Sequence, residues 1–287
     1  MSLFLPPHLA DRLHGHTVTA RRAMAGGRQG GHRSNRHGAS VEFAEYRPYV
    51  PGDAPSLIDW AAYARTDRYL VKRFEEETDL TGFVALDVSQ SMAWRGQGPI
   101  SKLDHARYLA SALLYVLAGQ GDRAGLVTLC AGLRERHPAA SSLAGLRPML
   151  DVIDAVEPGG RGDLAKSLHE AAAFLPRRSL VFVISDLLQP SREALDGIRR
   201  LHHDGHDVRV LHVVDRAELD LPGSGLAQIT DLETGERLEV ELDEVREAYR
   251  AGVADWLEEI RRGCQGCPVD YRLCDTSALV EEALRGL

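Results

Sequence analysis

The chain has 287 residues, 44% of them hydrophobic and 26% charged, a balance that excludes global disorder and a fibrous repeat. Lys and Arg total 34 against 42 Asp and Glu, and the net charge of −8 argues against nucleic acid or an anionic membrane as a partner held by bulk attraction. Four Cys exclude a disulfide scaffold, and no apolar run reaches the roughly 20 residues of a membrane helix.

Residues 1–40 depart from this average. They carry six Arg, one Asp and five His, and Gly26-Gly27-Arg28-Gln29-Gly30-Gly31 lies within them. This composition is expected to give a flexible basic arm. The opening Met1-Ser2-Leu3-Phe4-Leu5 lacks a basic n-region, so no secretory signal is expected and a reducing, cytoplasmic setting follows. Residues 41–79 mix aromatics, Pro and paired charges. They are expected to form an irregular and β-rich segment that packs on the main domain, with a strand at Tyr69–Phe74.

From Leu80 the pattern is regular. Thr81–Asp87 reads as a buried strand, and Leu103, Ala106, Ala110, Leu113, Leu114 and Leu117 fall at helical spacing. Strands are expected at Ala124–Cys130, Ser179–Ile184, Asp207–Val214 and Val269–Cys274. Helices are expected at 143–156, 164–175, 192–203, 243–262 and 277–284. Leu133–His137 is read as a hairpin partner of the second strand, and Thr234-Gly235 marks a turn between two short strands. Alternating apolar strands and helices imply a doubly wound, mostly parallel α/β sheet over residues 80–287. Ligands of such sheets sit beyond the carboxyl ends of the strands.

Two strands end in Asp. The first continues as Asp87-Val88-Ser89-Gln90-Ser91, and the later one closes with Ser185-Asp186. Asp87, Ser89, Ser91 and Asp186 are hard oxygen donors that suit Mg²⁺, Mn²⁺ or Ca²⁺ better than zinc. The competing reading is that each Asp and Ser only ends a strand and caps the next helix. A hydrolase or phosphotransferase using Asp87 as nucleophile is the alternative from another class. It lacks a second acid at position 89, which is Ser. A third reading is a nucleic-acid binder acting through residues 1–40. Cys264-Gln265-Gly266-Cys267 and the histidines at 202, 203, 206 and 212 are read mainly as structural, with redox or metal roles as alternatives.

The D-x-S-x-S motif followed by a strand ending in S-D resembles the von Willebrand factor A domain. That resemblance implies a metal-ion-dependent adhesion site, with Asp87, Ser89, Ser91 and Asp186 around Mg²⁺ or Mn²⁺ and an open position for an acidic side chain of a partner. The family's loop Thr falls on Gly162 in Gly159-Gly160-Arg161-Gly162-Asp163, so the site is degenerate and weak metal binding is implied, with Asp163 as a further candidate ligand.

A second resemblance lies upstream. Glu42–Tyr49, Pro51-Gly52-Asp53, Ile58-Asp59-Trp60, Tyr63-Ala64-Arg65-Thr66 and Val71–Thr78 are similar to the bacterial family called domain of unknown function 58. It implies a non-enzymatic adaptor for a MoxR-type AAA+ ATPase in chaperone-like complex maturation. Arg161, Gly162, Asp163, Asp53 and Arg65 are the implied partner-binding positions.

Overall fold

In the computed structural model of the chain, residues 2–20, 41–49, 58–76, 80–96 and 98–287 are described. They fall into two units, residues 1–22 with 80–287, and residues 23–79.

In the larger unit the apolar run Thr81–Asp87 is strand β3, buried on both faces from Gly82 onward. It pairs in parallel with β4 (Arg123–Leu129) on one side and β6 (Leu180–Ser185) on the other. Outside β6 come β7 (Asp207–Val214) and β10 (Asp270–Asp275), both parallel. Beyond β4 lies β5 (Leu133–Ala140), antiparallel, completing the order β10-β7-β6-β3-β4-β5. The fold is therefore a mostly parallel α/β sheet, as the sequence pattern predicts. The chain leaves β3 for β4 on one side and returns to β6 on the other. This change of direction opens a crevice beyond the carboxyl ends of β3 and β6.

Helices cover both faces. One face of the sheet presents Phe83, Ala85, Val181, Val183 and Val208, which pack with residues of α5 (Leu164–Phe174), α6 (Ser191–His203) and α8 (Leu242–Gln265). Each fully buried Leu or Ile here contributes about 2–3 kcal/mol. The other face receives α3 (Lys102–Gly119), whose start is fixed by a reciprocal Ser101–Asp104 capping box. A Cβ on Gly82 would lie 2.6 Å from Leu117, so glycine lets α3 approach β3 closely. Shorter helices are α4 (Arg147–Ala155), α7 (Arg216–Asp220) and α9 (Val280–Leu284). The predicted turn at Thr234-Gly235 joins β8 (Leu226–Thr230) to β9 (Arg237–Glu241) in a separate two-stranded ribbon.

Residues 2–20 correct the expectation of a flexible arm over 1–40. Pro7–Leu13 is helix α1, and Leu5, Leu9, Leu13 and Val18 are buried. Ser2 Oγ donates to Asp154 at 2.6 Å, Val18 and Gln120 exchange two hydrogen bonds, and buried Arg209 donates to the Thr19 carbonyl. The apolar spacing, rather than the basic composition, decides the outcome, because four buried aliphatic side chains and these hydrogen bonds tie the segment to the larger unit. The Gly-rich stretch 26–31 lies outside the described residues.

The smaller unit pairs β1 (Val41–Pro48) antiparallel with β2 (Leu70–Glu76), and α2 (Trp60–Thr66) lies between them in sequence. Asp59 caps α2 by accepting from the Ala62 amide at 3.1 Å. Tyr63 and Tyr69 stack at 4.6 Å, and Trp60 packs edge-on against both.

Candidate functional site

Register brings the two predicted acids together. Leu86 of β3 is paired with Ile184 of β6, so Asp87 and Ser185 come level and Asp186 follows one residue on. Ser185 Oγ donates to Asp87 Oδ2 at 2.6 Å, and the Ser89 amide donates to Asp87 Oδ1 at 2.9 Å. The chain then tightens into a 3₁₀ turn at Gln90–Ala93, which sets the Ser89 and Ser91 hydroxyls 3.1 Å apart. All four predicted oxygen-bearing residues are buried. Burial, then the neighbouring Asp186, pushes the Asp87 carboxyl up to about 6 against the opposing pull of its hydrogen bonds.

Asp186 is held by a group the sequence reading did not single out. Lys102, the first residue of α3, is fully buried, and its Nζ lies 2.8 Å from Asp186 Oδ2 and 2.5 Å from Glu218 Oε1. Burial works against the ammonium charge, but the two carboxylates prevail and raise its pKa. Burial also lifts the Glu218 carboxyl, against the opposing pull of the ammonium. Asp186 Oδ1 accepts from the Leu188 amide at 3.1 Å, and its carbonyl lies 2.8 Å from His212 Nε2. A signal for Lys102 exists in the sequence. A lysine at the start of a capped helix opposes the helix dipole, so its presence there asks for a nearby anion.

The loop before α5 lies against this cluster. The Gln90 amide donates to the Gly160 carbonyl at 3.0 Å, and a Cβ built on Gly162 would stand 3.1 Å from Ser89 Cβ. Gly162 therefore occupies the position beside Ser89 that the family resemblance assigns to a hydroxyl. Its amide donates to Glu233 Oε1 at 3.1 Å. Glu233 sits in the turn of the β8–β9 hairpin, far away in sequence. Asp163 is turned to a different task, because its carboxylate caps α5 by accepting from the Lys166 amide at 2.9 Å. Arg161 is exposed, and its charge helps hold the Asp231 carboxyl below the usual range, after that group's backbone hydrogen bonds to Glu233 and Thr234. Arg65 belongs to α2 in the other unit, and Asp53 lies outside the described residues.

A cavity of about 740 Å³ opens beside Ser91, between the hairpin and residues that include Trp94, Leu188, Leu221 and Tyr249. The other motifs are structural in setting. Cys264 closes the end of α8 rather than opening a helix, and burial pushes it and Cys274 each up to about 12, which keeps both thiols protonated. His212 is buried and pushed down to about 4, chiefly by burial, with Nδ1 2.8 Å from the Tyr271 hydroxyl.

The donor set at Asp87, Ser89, Ser91 and Asp186 fits a hard divalent cation in chemistry. Asp87 and Asp186 are buried side by side with the part-buried Glu218 near them, and a cation would relieve their mutual repulsion. Among the described residues, no three His, Cys, Asp or Glu side chains converge as a metal-binding group, so the hydroxyls of Ser89 and Ser91 would have to complete any such site.

Comparison with known proteins places the chain. An uncharacterized protein of Mycobacterium tuberculosis is 28% identical over 267 residues, covering 91% of this chain and 83% of the relative. Among solved structures, the conserved hypothetical protein BatB from Bacteroides thetaiotaomicron is 19% identical and covers 72% of this chain and 94% of that one, with a TM-score of 0.47. The von Willebrand A (VWA) domain of SpRpn10 is 10% identical with the same coverage and TM-score. The family described as "Protein of unknown function DUF58" matches residues 45–259, and the chain belongs to it.

Proposed function

We propose that the protein is a non-enzymatic protein–protein interaction module that receives an acidic side chain of a partner at the Asp87–Ser89–Ser91–Asp186 cluster. The observation that carries this reading is that Asp87 and Asp186, at the ends of the adjacent parallel strands β3 and β6, come close to each other beside the loop that carries the Ser89 and Ser91 hydroxyls. Mg²⁺ or Mn²⁺ would be held by Asp87, Ser89 and Ser91, with Asp186 in support. The ion would supply the positive charge that draws a partner's carboxylate. Position 162 adds no side-chain oxygen, so the affinity for the ion is weak.

A hydrolase or phosphotransferase built on Asp87 is less well supported. Aspartyl chemistry needs an acid or base beside the nucleophile, and position 89, where a second acid would serve, is Ser. The partner we infer is a MoxR-type AAA+ ATPase, met in the cytoplasm, with the protein serving as its adaptor. No helix among the described residues is long and apolar enough to cross a membrane.

Affinity capture from native lysate, with and without Mg²⁺, tests this reading. A co-purifying AAA+ ATPase that is enriched at least tenfold by Mg²⁺ is expected. Capture of no ATPase under either condition would overturn the adaptor role.

A further inference from the structure

The β8–β9 hairpin is unlike the rest of the larger unit. Its strands are five residues each, it shares no hydrogen bonds with the six-stranded sheet, and most of its side chains are exposed. Ribbons of this size are marginal without support from elsewhere. Leu226 and Leu238 are 72% and 65% exposed, so apolar burial holds it only weakly.

One polar contact fastens its tip to the sheet's switch point. Asp231 organises the turn by accepting from the Glu233 amide at 2.7 Å and the Thr234 amide at 3.2 Å. That turn aims Glu233, which is less exposed than its neighbours on either side, at the Gly162 amide beside Ser89. Leu232, next to it, lines the 740 Å³ cavity with Trp94, Leu188 and Leu221. The chain thus holds one carboxylate of its own at the rim of the cluster, with Leu232, still 41% exposed, in the cavity wall beside it.

We propose that Leu232-Glu233 is an internal occupant of the recognition surface, displaced by a partner segment that presents the same pair, an apolar residue followed by an acidic one. The proposal rests on the interaction reading above, and the internal pair supplies the chemistry of the ligand. A carboxylate takes the Gly162 N–H, and an aliphatic side chain takes the place of Leu232 in the wall it shares with Trp94, Leu188 and Leu221. Because the internal pair is tethered, it competes with any segment supplied from outside and lowers that segment's apparent affinity by the fraction of time the site is free.

The test uses the full chain and a fluorescently labelled peptide of the protein's own residues 228–236, added in trans. Glu233→Gln removes the charged acceptor from an exposed turn without touching the core. This variant is expected to bind the peptide about tenfold more tightly than the wild type. Its amides over 226–241 should exchange several-fold faster, and a peptide carrying the Glu233→Gln change should lose the gain. Equal peptide affinity and equal exchange in the two proteins would overturn the proposal. Adding Asp87→Ala to the Glu233→Gln protein separates the two ideas. Lost peptide binding supports both. Retained tight binding upholds the internal occupant and contradicts the role of Asp87.

Discussion

The first turn of α3 sends two polar side chains into two different regions of the interior. Lys102 enters the cluster at the ends of β3 and β6, where Asp186 and Glu218 meet its ammonium. His105, three residues on, is as deeply buried, but its Nε2 has no hydrogen-bond partner. Burial pushes His105 down to about 4, and the charge of Asp275 only partly opposes this, so the ring is neutral at pH 7. Burial is the same in the two places, and the neighbours decide the protonation. The region that keeps its charges holds two carboxylates around the ammonium, and the region that sheds its charge offers the imidazole no such partner.

Removing Lys102 breaks that contrast most strongly. Lys102→Met would leave Asp186 and Glu218 facing each other without the ammonium, and chemical denaturation should show a loss of about 3–5 kcal/mol. The double variant Lys102→Met with Asp186→Asn should recover part of it. A stability change under about 1 kcal/mol in the single variant would mean that the ion pair is not formed as described.

His105 sharpens the contrast through pH. Its folded pKa of about 4 lies below the unfolded value of about 6.5, so folding favours the neutral ring. The associated stability is fully present above about pH 6.5 and is lost as the pH falls towards 4, amounting to about 3 kcal/mol over that window. His105→Leu should flatten this part of the stability profile. A profile unchanged by the substitution would assign the acid sensitivity elsewhere.

Most of the architecture is legible in the sequence because its strands are continuous apolar runs and its helices repeat at 3.6 residues. Thr81–Asp87 and Asp207–Val214 match the predicted bounds, and the turn at Thr234-Gly235 joins the two predicted short strands. The nearness of Asp87 to Asp186 follows once β3 and β6 are neighbours. Lys102, Glu218 and Glu233 were not legible in the same way. Glu218 and Glu233 reach the cluster from elements remote in sequence, and the helix-start signal at Lys102 does not say which carboxylates it meets. The six Arg and five His of residues 1–40 mask the burial of residues 2–20, where the deciding residues are Leu5, Leu9, Leu13 and Val18.

The central claim is that the oxygen cluster captures a partner, and Asp87 bears on it most directly. Asp87→Ala, compared with the wild type in the Mg²⁺-dependent capture assay, with circular dichroism confirming that the variant is folded, should retain less than a tenth of the captured ATPase. Capture equal to the wild type by a folded Asp87→Ala protein would contradict the account.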